Sequence, residues 1–376
     1  MFKRNVLAVS LTLASLCSAQ AMAAIVGGGA TLPADLYNTP GVLTTGFNAY
    51  IGVGSGNGKA AVLNNDATKL NLTAGTPVDY AGSDSVLSAS EITTYANAHQ
   101  SPAVPVTDAN NWGPLVQIPS AATSVTIPYK IAGVSNLNLT SAQLCDIFSG
   151  TVSNWSQVDS SLPNVAITVV YRSGSSGTSE LLSRHLNSQC AAKFVTSSTF
   201  TTANVGAEPG TWLVASGSAD MASKVAATEG AIGYVGPEDV DATNNAVVAR
   251  VNGLLPTVGN VQTALATIAP PATDAERADL NKWAPVLPNP ATGYSIVGYT
   301  NFIFGRCYKT TADAGQVRNF LNRHYGTTTN NDAAIVAKNL IPLSSAWKDA
   351  VRNTFATTSN TFSINHASVC NGIGRL

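Results

Sequence analysis

The stretch Tyr171-Arg172-Ser173-Gly174-Ser175-Ser176-Gly177-Thr178-Ser179-Glu180 constrains this chain more than any other. It follows an apolar run, Val165–Val170, that reads as a strand, and it precedes Leu181–Leu186, which reads as a helix. A strand that ends on arginine and feeds a helix opening on small hydroxyl residues gathers three things in one place. These are unpaired backbone N–H groups, the positive end of a helix dipole and a guanidinium fork. Such a junction suits a tetrahedral oxyanion. An ordinary cap in a serine-rich turn is the competing reading of the segment taken alone.

Three more strand–turn–helix junctions precede it. Gly27-Gly28-Gly29-Ala30-Thr31-Leu32-Pro33 has glycines that let backbone turn sharply or approach a ligand, then a helix start at Thr31 with Pro33 in the first turn. Tyr50–Lys59 reads as a short strand, a turn with alternating glycines, and a helix with Ser55 near its start. Its spacing is not G-x-G-x-x-G, and Ala60 follows Lys59, so neither a dinucleotide fingerprint nor a P-loop is present. Val78–Ser85 carries Asp84 between a strand and a helix over Leu87–Tyr95, where an N-cap aspartate would be ordinary.

Further along, Leu115–Pro119 and Ser124–Tyr129 are strand-like and suit a crossing between domains, as does Gly293–Phe304. Gly230–Val235 reads as a buried strand, and Thr140–Phe148, Ala312–Tyr325, Asp332–Lys338 and Ala346–Phe355 read as helices. Strands alternating with helices predict an α/β protein with largely parallel sheets. A length of 376 residues accommodates two domains of ordinary size.

The first residues read as an export signal. Lys3 and Arg4 precede a short apolar run, Val6–Leu16, and Ala21-Met22-Ala23 fits the cleavage rule, which places the mature start at Ala24. The run is too short to span a bilayer, and no later one is long enough, so no transmembrane segment is expected. Loss of Lys3 and Arg4 takes the formal charge from −1 to −3. With only 11% charged residues and no basic excess, the chain lacks the footprint of a nucleic-acid binder. Four cysteines remain after Cys17 leaves: Cys145, Cys190, Cys307 and Cys370. An even number in an exported chain argues for two disulfides with three pairings open. Pairing Cys145–Cys190 and Cys307–Cys370 keeps each bridge inside one prospective domain.

Taken together, the motifs GGGATLP, GVGSG, AGSDS and YRxxSSGT resemble those of the periplasmic phosphate-binding proteins of ABC transporters, and more narrowly the DING subgroup. Leu144–Gly150, Val297–Asn301 and Cys370–Arg375 are similar to further segments of that subgroup, so the likeness covers nearly the whole mature chain. The resemblance implies a type II periplasmic-binding-protein fold. Two α/β lobes, joined by crossover strands, would enclose a ligand cleft. It puts a signal peptide at 1–23, lobe I at 24–118 plus 295–376 and lobe II at 119–294. It also implies inorganic phosphate as ligand, an ABC phosphate transporter as a candidate partner, and a periplasmic or secreted location. No cofactor or metal is implied. Carried over residue by residue, Thr31, Leu32 and Ser55 would donate to phosphate, Asp84 would accept from it, and Arg172, Ser176, Gly177 and Thr178 would clamp it from the second lobe. Two departures stand out: Ala24-Ile25-Val26-Gly27 replaces the Asp-Ile-Asn-Gly start, and Gly174 replaces an acid often found inside the arginine motif.

The chemistry stands without the family. Donors alone would hold sulfate as well as phosphate. An ionised Asp84 only accepts hydrogen bonds, and protonated phosphate has a hydrogen to offer where sulfate has none. The resemblance also reaches secreted alkaline phosphatases acting on phosphomonoesters or phosphodiesters at the same site. His99, His185, His324 and His366 are scattered without ligand spacing, and no base is evident for Ser175 or Ser176.

Overall fold

The computed structural model describes residues 24–375, so the expected signal segment 1–23 lies outside the described residues. The chain lays down β1 (Gly27–Gly29), β2 (Ile51–Gly52), β3 (Tyr80–Ser83) and β4 (Leu115–Ser124), then β5 (Asn138–Leu139), β6 (Thr168–Arg172), β7 (Leu213–Ala215), β8 (Ala231–Ile232) and β9 (Arg250–Val251), and returns with β10 (Val297–Gly305). Strands of the first and last parts form one five-stranded sheet, in the order β2-β1-β3-β10-β4. The middle part forms a three-stranded sheet, β7-β6-β8, and a two-stranded pair, β5-β9. These are the two lobes of the fold.

The small sheet is parallel throughout, but the large one is mixed. β1 runs parallel to β2 and β3, while β10 is antiparallel to both β3 and β4. The departure from a parallel sheet has a topological cause. β4 leaves the large sheet and β10 re-enters it, so the two run in opposite senses. Beyond Ser124 the chain pairs onward with the second lobe, at Thr126↔Val235, Pro128↔Val248 and Tyr129↔Ile232. The β4–β10 ribbon is therefore the physical link between lobes.

The three glycines of β1 form a buried strand between β2 and β3 rather than a turn. A Cβ at Gly28 would lie 2.4 Å from the Ile51 carbonyl oxygen, and one at Gly29 would lie 2.1 Å from that of Gly82. Helix α2 (Ser55–Asn64; α1 is Ala34–Tyr37) seats Gly58 so closely that its Cβ would be 2.5 Å from the Gly29 Cα. Glycine is required here for close packing of helix on strand.

Helix α3 (Ala89–His99) starts later than the sequence suggests. Its N-cap is Ser88, in a reciprocal capping box with Glu91, so Asp84 is not a cap. Helix α4 (Ser141–Phe148) is capped by Thr140, and α5 (Gly177–Cys190) follows β6 and is capped by Ser176. The disulfides are Cys145–Cys190, which ties α4 to the end of α5, and Cys307–Cys370. A Cys145→Ala/Cys190→Ala double variant should lose about 2–4 kcal/mol of stability in chemical denaturation, from the freed 45-residue separation in the unfolded chain. No helix among the described residues is long and apolar enough to cross a membrane.

Candidate functional site

The four junctions meet where the lobes touch. Ser55, the first residue of α2, is buried, and its Oγ accepts two backbone N–H bonds. One comes from Asp84 of the same lobe and one from Gly177 of the other, both at 3.1 Å. A single hydroxyl thus fastens the starts of two helices and the end of β3. Gly177 permits this approach because a Cβ there would lie 2.4 Å from the Asp84 Cβ and 2.6 Å from the Ser55 Oγ. Gly54 has φ +92° and would place a Cβ 2.6 Å from the Ser175 carbonyl oxygen, so both walls of the contact need glycine.

Arg172 ends β6 and is only 4% exposed. Its backbone N–H donates to the Tyr234 hydroxyl at 3.0 Å, which anchors the strand end. Nη1 donates to Ser176 Oγ at 3.2 Å and, across the cleft, to Thr31 Oγ1 at 3.3 Å, while Nε has no acceptor among the described residues. Thr31 is joined to the second lobe again through Ser218 Oγ at 3.0 Å. Leu32 is buried in the turn just before the α1 N-cap Pro33, and Thr178 is the second residue of α5, where backbone N–H groups have no intrahelical partner.

Asp84 is the one acid among these donors. It is 3% exposed, and its Oδ1 has no hydrogen-bond partner among the described residues. Burial pushes its carboxyl up to about 7, and the Thr300 side chain and the Arg172 charge pull the other way. Among protein groups alone, ionisation of Asp84 at neutral pH is thus incomplete, unlike the fully ionised acceptor that the sequence suggests. Burial also lowers the Arg172 guanidinium from its ordinary value, opposed by Tyr234 and Asp84.

The predicted residues Thr31, Leu32, Ser55, Asp84, Arg172, Ser176, Gly177 and Thr178 all stand at the helix starts and strand ends of this one interlobe contact. Ser175 packs against Gly56 of the first lobe, where an added Cβ would lie 2.1 Å from its Oγ, and donates to Ser198 Oγ at 2.7 Å. Gly174 is exposed, and a Cβ there would meet nothing within 4 Å, so Arg172 is held by Tyr234, Ser176 and Thr31 rather than by a neighbour at 174. Sequence reasoning misses Thr300, Tyr234 and Ser218. Thr300 sits fully buried at the β10 bulge, between Thr300 and Asn301, opposite the end of β3. A threonine–asparagine pair inside an apolar strand is the available signal.

The histidines stand elsewhere. His185 faces Ser141 and the Pro288 carbonyl, His324 faces Ser120, His99 stacks on Trp112, and His366 contacts Ser368. None contacts Ser175 or Ser176.

Replacing Gly177 by Ala should block the last few ångströms of approach. Overpacking of this kind costs about 1–3 kcal/mol, so anion affinity is expected to fall roughly tenfold or more. Small-angle scattering in the presence of ligand should show a larger radius of gyration for the variant than for the parent.

Two lobes on a β4–β10 ribbon, with donors converging from both, define a periplasmic-binding-protein architecture, and the PBP superfamily domain matches residues 19–322. The chain belongs to the PBP superfamily. Within it, the chain groups with the DING phosphate-binding proteins. It is 51% identical to alkaline phosphatase L of Pseudomonas aeruginosa, with 100% of both chains covered. It is 42% identical to a phosphate-binding protein of an unknown prokaryotic organism, over 93% of this chain and 99% of the other. Among solved structures it matches a high-affinity periplasmic phosphate-binding protein (PfluDING) bound with phosphate, at 43% identity and TM-score 0.86, over 94% of this chain and 99% of that one.

Proposed function

We propose that this protein is an exported, high-affinity binder of inorganic phosphate that clamps the anion between its lobes and rejects sulfate through Asp84. In this reading Thr31, Leu32 and Ser55 donate from lobe I, and Arg172, Ser176, Gly177 and Thr178 donate from lobe II. The hinge lies in the β4–β10 ribbon, with lobe I at 24–118 plus 295–376 and lobe II at 119–294. Residues 1–23 direct export, and an ABC phosphate transporter receives the cargo.

The observation that carries the proposal is the buried, unpartnered Asp84 oxygen amid a shell of N–H and hydroxyl donors. A lone acceptor in a donor cage selects an anion that brings its own proton. Hydrogen bonds to charged groups are worth about 1.5–3 kcal/mol, and a site built for one rejects a ligand lacking it by about 10⁴-fold.

The name of the 51%-identical relative supports a second reading, a phosphatase acting at the same site. Against it, Ser175 is engaged with Ser198, and Ser176 accepts from Arg172 and from the Ser179 N–H. Neither has a base to activate it. Calorimetric titration of phosphate-stripped protein with phosphate and then sulfate, with a p-nitrophenyl phosphate assay on the same sample, separates the two. Tight phosphate binding, no sulfate signal and no turnover are expected. Turnover that vanishes on substitution of Asp84 or Ser176 would establish the phosphatase instead.

A further inference from the structure

Far along β10 from the cleft, the strand ends beside a second cavity, of about 490 Å³, that the phosphate reading does not use. Its walls are mostly apolar: Ile92 from α3, Leu115 from β4, and Leu280, Trp283 and Phe355. One buried side chain in the lining is out of keeping with them. Arg306 is only 8% exposed, yet it makes no ion pair among the described residues. Of its five N–H donors, only one at Nη2 finds a protein acceptor, the Thr361 carbonyl at 2.8 Å, and Nε is buried without any. Burial lowers its pKa from the ordinary value with no acid opposing the shift.

A desolvated cation with no counter-charge is costly unless something pairs with it. Nor is Arg306 free to swing out. Its backbone N–H donates to the Pro114 carbonyl at 2.8 Å, its carbonyl accepts from Asn365 N–H at 2.9 Å, and Cys307 beside it is disulfide-bonded. One face of the guanidinium lies over the Phe362 ring, 5.6 Å from the centroid. The guanidinium is thus held in place at the wall of a cavity of ligand-accepting size.

We propose that this cavity is a second ligand site, for a small organic monocarboxylate with an apolar, arylalkyl body. The carboxylate pairs with Arg306 and the hydrocarbon part covers the aromatic and aliphatic walls. A single charge fits better than two, because Arg306 is the one unpaired cation there. Arg277, the other cation in the lining, is already paired with Asp274 at 2.8 Å, and Asp279 adds a negative charge to the rim. Inorganic phosphate, compact and doubly charged, suits the cavity poorly.

The test is calorimetry or ligand-observed NMR on the full chain saturated with phosphate, so that the interlobe site is filled throughout. The probes are 3-phenylpropanoate, its neutral amide and additional phosphate. At this ligand size, binding of the acid at about millimolar Kd or tighter is expected, with the amide at least roughly tenfold weaker. Arg306→Gln should bring the acid down to the level of the amide. Ala96→Trp, on the α3 rim, should block both probes with thermal stability and phosphate affinity unchanged, which keeps the test valid if Arg306→Gln fails to fold. Equal binding of acid and amide, binding indifferent to Ala96→Trp, a second equivalent of phosphate lost in Ala96→Trp, or no signal from the acid would each overturn the proposal.

Discussion

Arg172→Ala is expected to weaken phosphate binding on the order of 10³-fold, the largest loss from any single truncation at the cleft. The guanidinium is the only cation among the proposed contacts, and it lies in surroundings too dry for water to replace it. Removing it takes away charge-assisted hydrogen bonds and also leaves Asp84 buried without its opposing charge. Truncating one partner of a buried charge pair costs about 2–5 kcal/mol, much of it from the group left behind. Arg172→Lys should recover part of the loss, because charge returns but the planar guanidinium, whose Nη1 reaches both Ser176 and Thr31 and whose other N–H groups stay free for the anion, does not. Titration of phosphate-stripped variants decides the matter. A loss below about tenfold in Arg172→Ala would place the charge contact elsewhere.

The junctions are legible in the sequence because strand, turn and helix each leave a local mark. An apolar run, a glycine or serine turn and a helix opening on Ser or Thr survive in one dimension, and so Arg172, Ser176 and Ser55 can be found from residue order alone. What those marks lack is direction. Ser175 and Ser176 are neighbours of one type, yet one packs on Gly56 and bonds Ser198 while the other caps α5 beneath Arg172. Only the backbone geometry separates them. The glycines of β1 mislead for a related reason. Glycine signals that something comes close, but not whether it is a ligand or, as at Gly29, a helix and a neighbouring strand. Thr300 is hidden because its role depends on a bulge in β10 and on β3 lying alongside, more than 200 positions away in sequence. The mixed sheet has the same origin: strand direction at the crossover is a property of the return path, which local periodicity does not record.

Asp84→Asn should separate the two duties of that carboxyl. In the phosphate-stripped protein, the folded-state pKa of about 7 exceeds the ordinary 3.8, so the folded state holds a proton that the unfolded state has released. Stability from this group is full below about pH 4, falls as pH rises towards 7, and levels off above, by about 4 kcal/mol in all. Asparagine has no such titration. The variant should therefore gain on the parent in melting temperature as pH climbs from 4 to 8, and parallel curves would refute a buried, raised Asp84. Selectivity follows the same proton. Above pH 7 an ionised Asp84 meets sulfate with no hydrogen between them. Below pH 7 a protonated Asp84 donates to it. Sulfate affinity of the parent is expected to fall about tenfold per pH unit above 7 and to flatten below, because binding takes up one proton. The asparagine NH₂ donates at every pH, so the variant should bind sulfate with no such slope, about tenfold more tightly than the parent at pH 8 and about 100-fold more tightly at pH 9. Sulfate titrations of both proteins at pH 6, 7, 8 and 9 measure the slope directly. A flat profile in the parent would mean that donors alone, and not the Asp84 carboxyl, set the choice of anion.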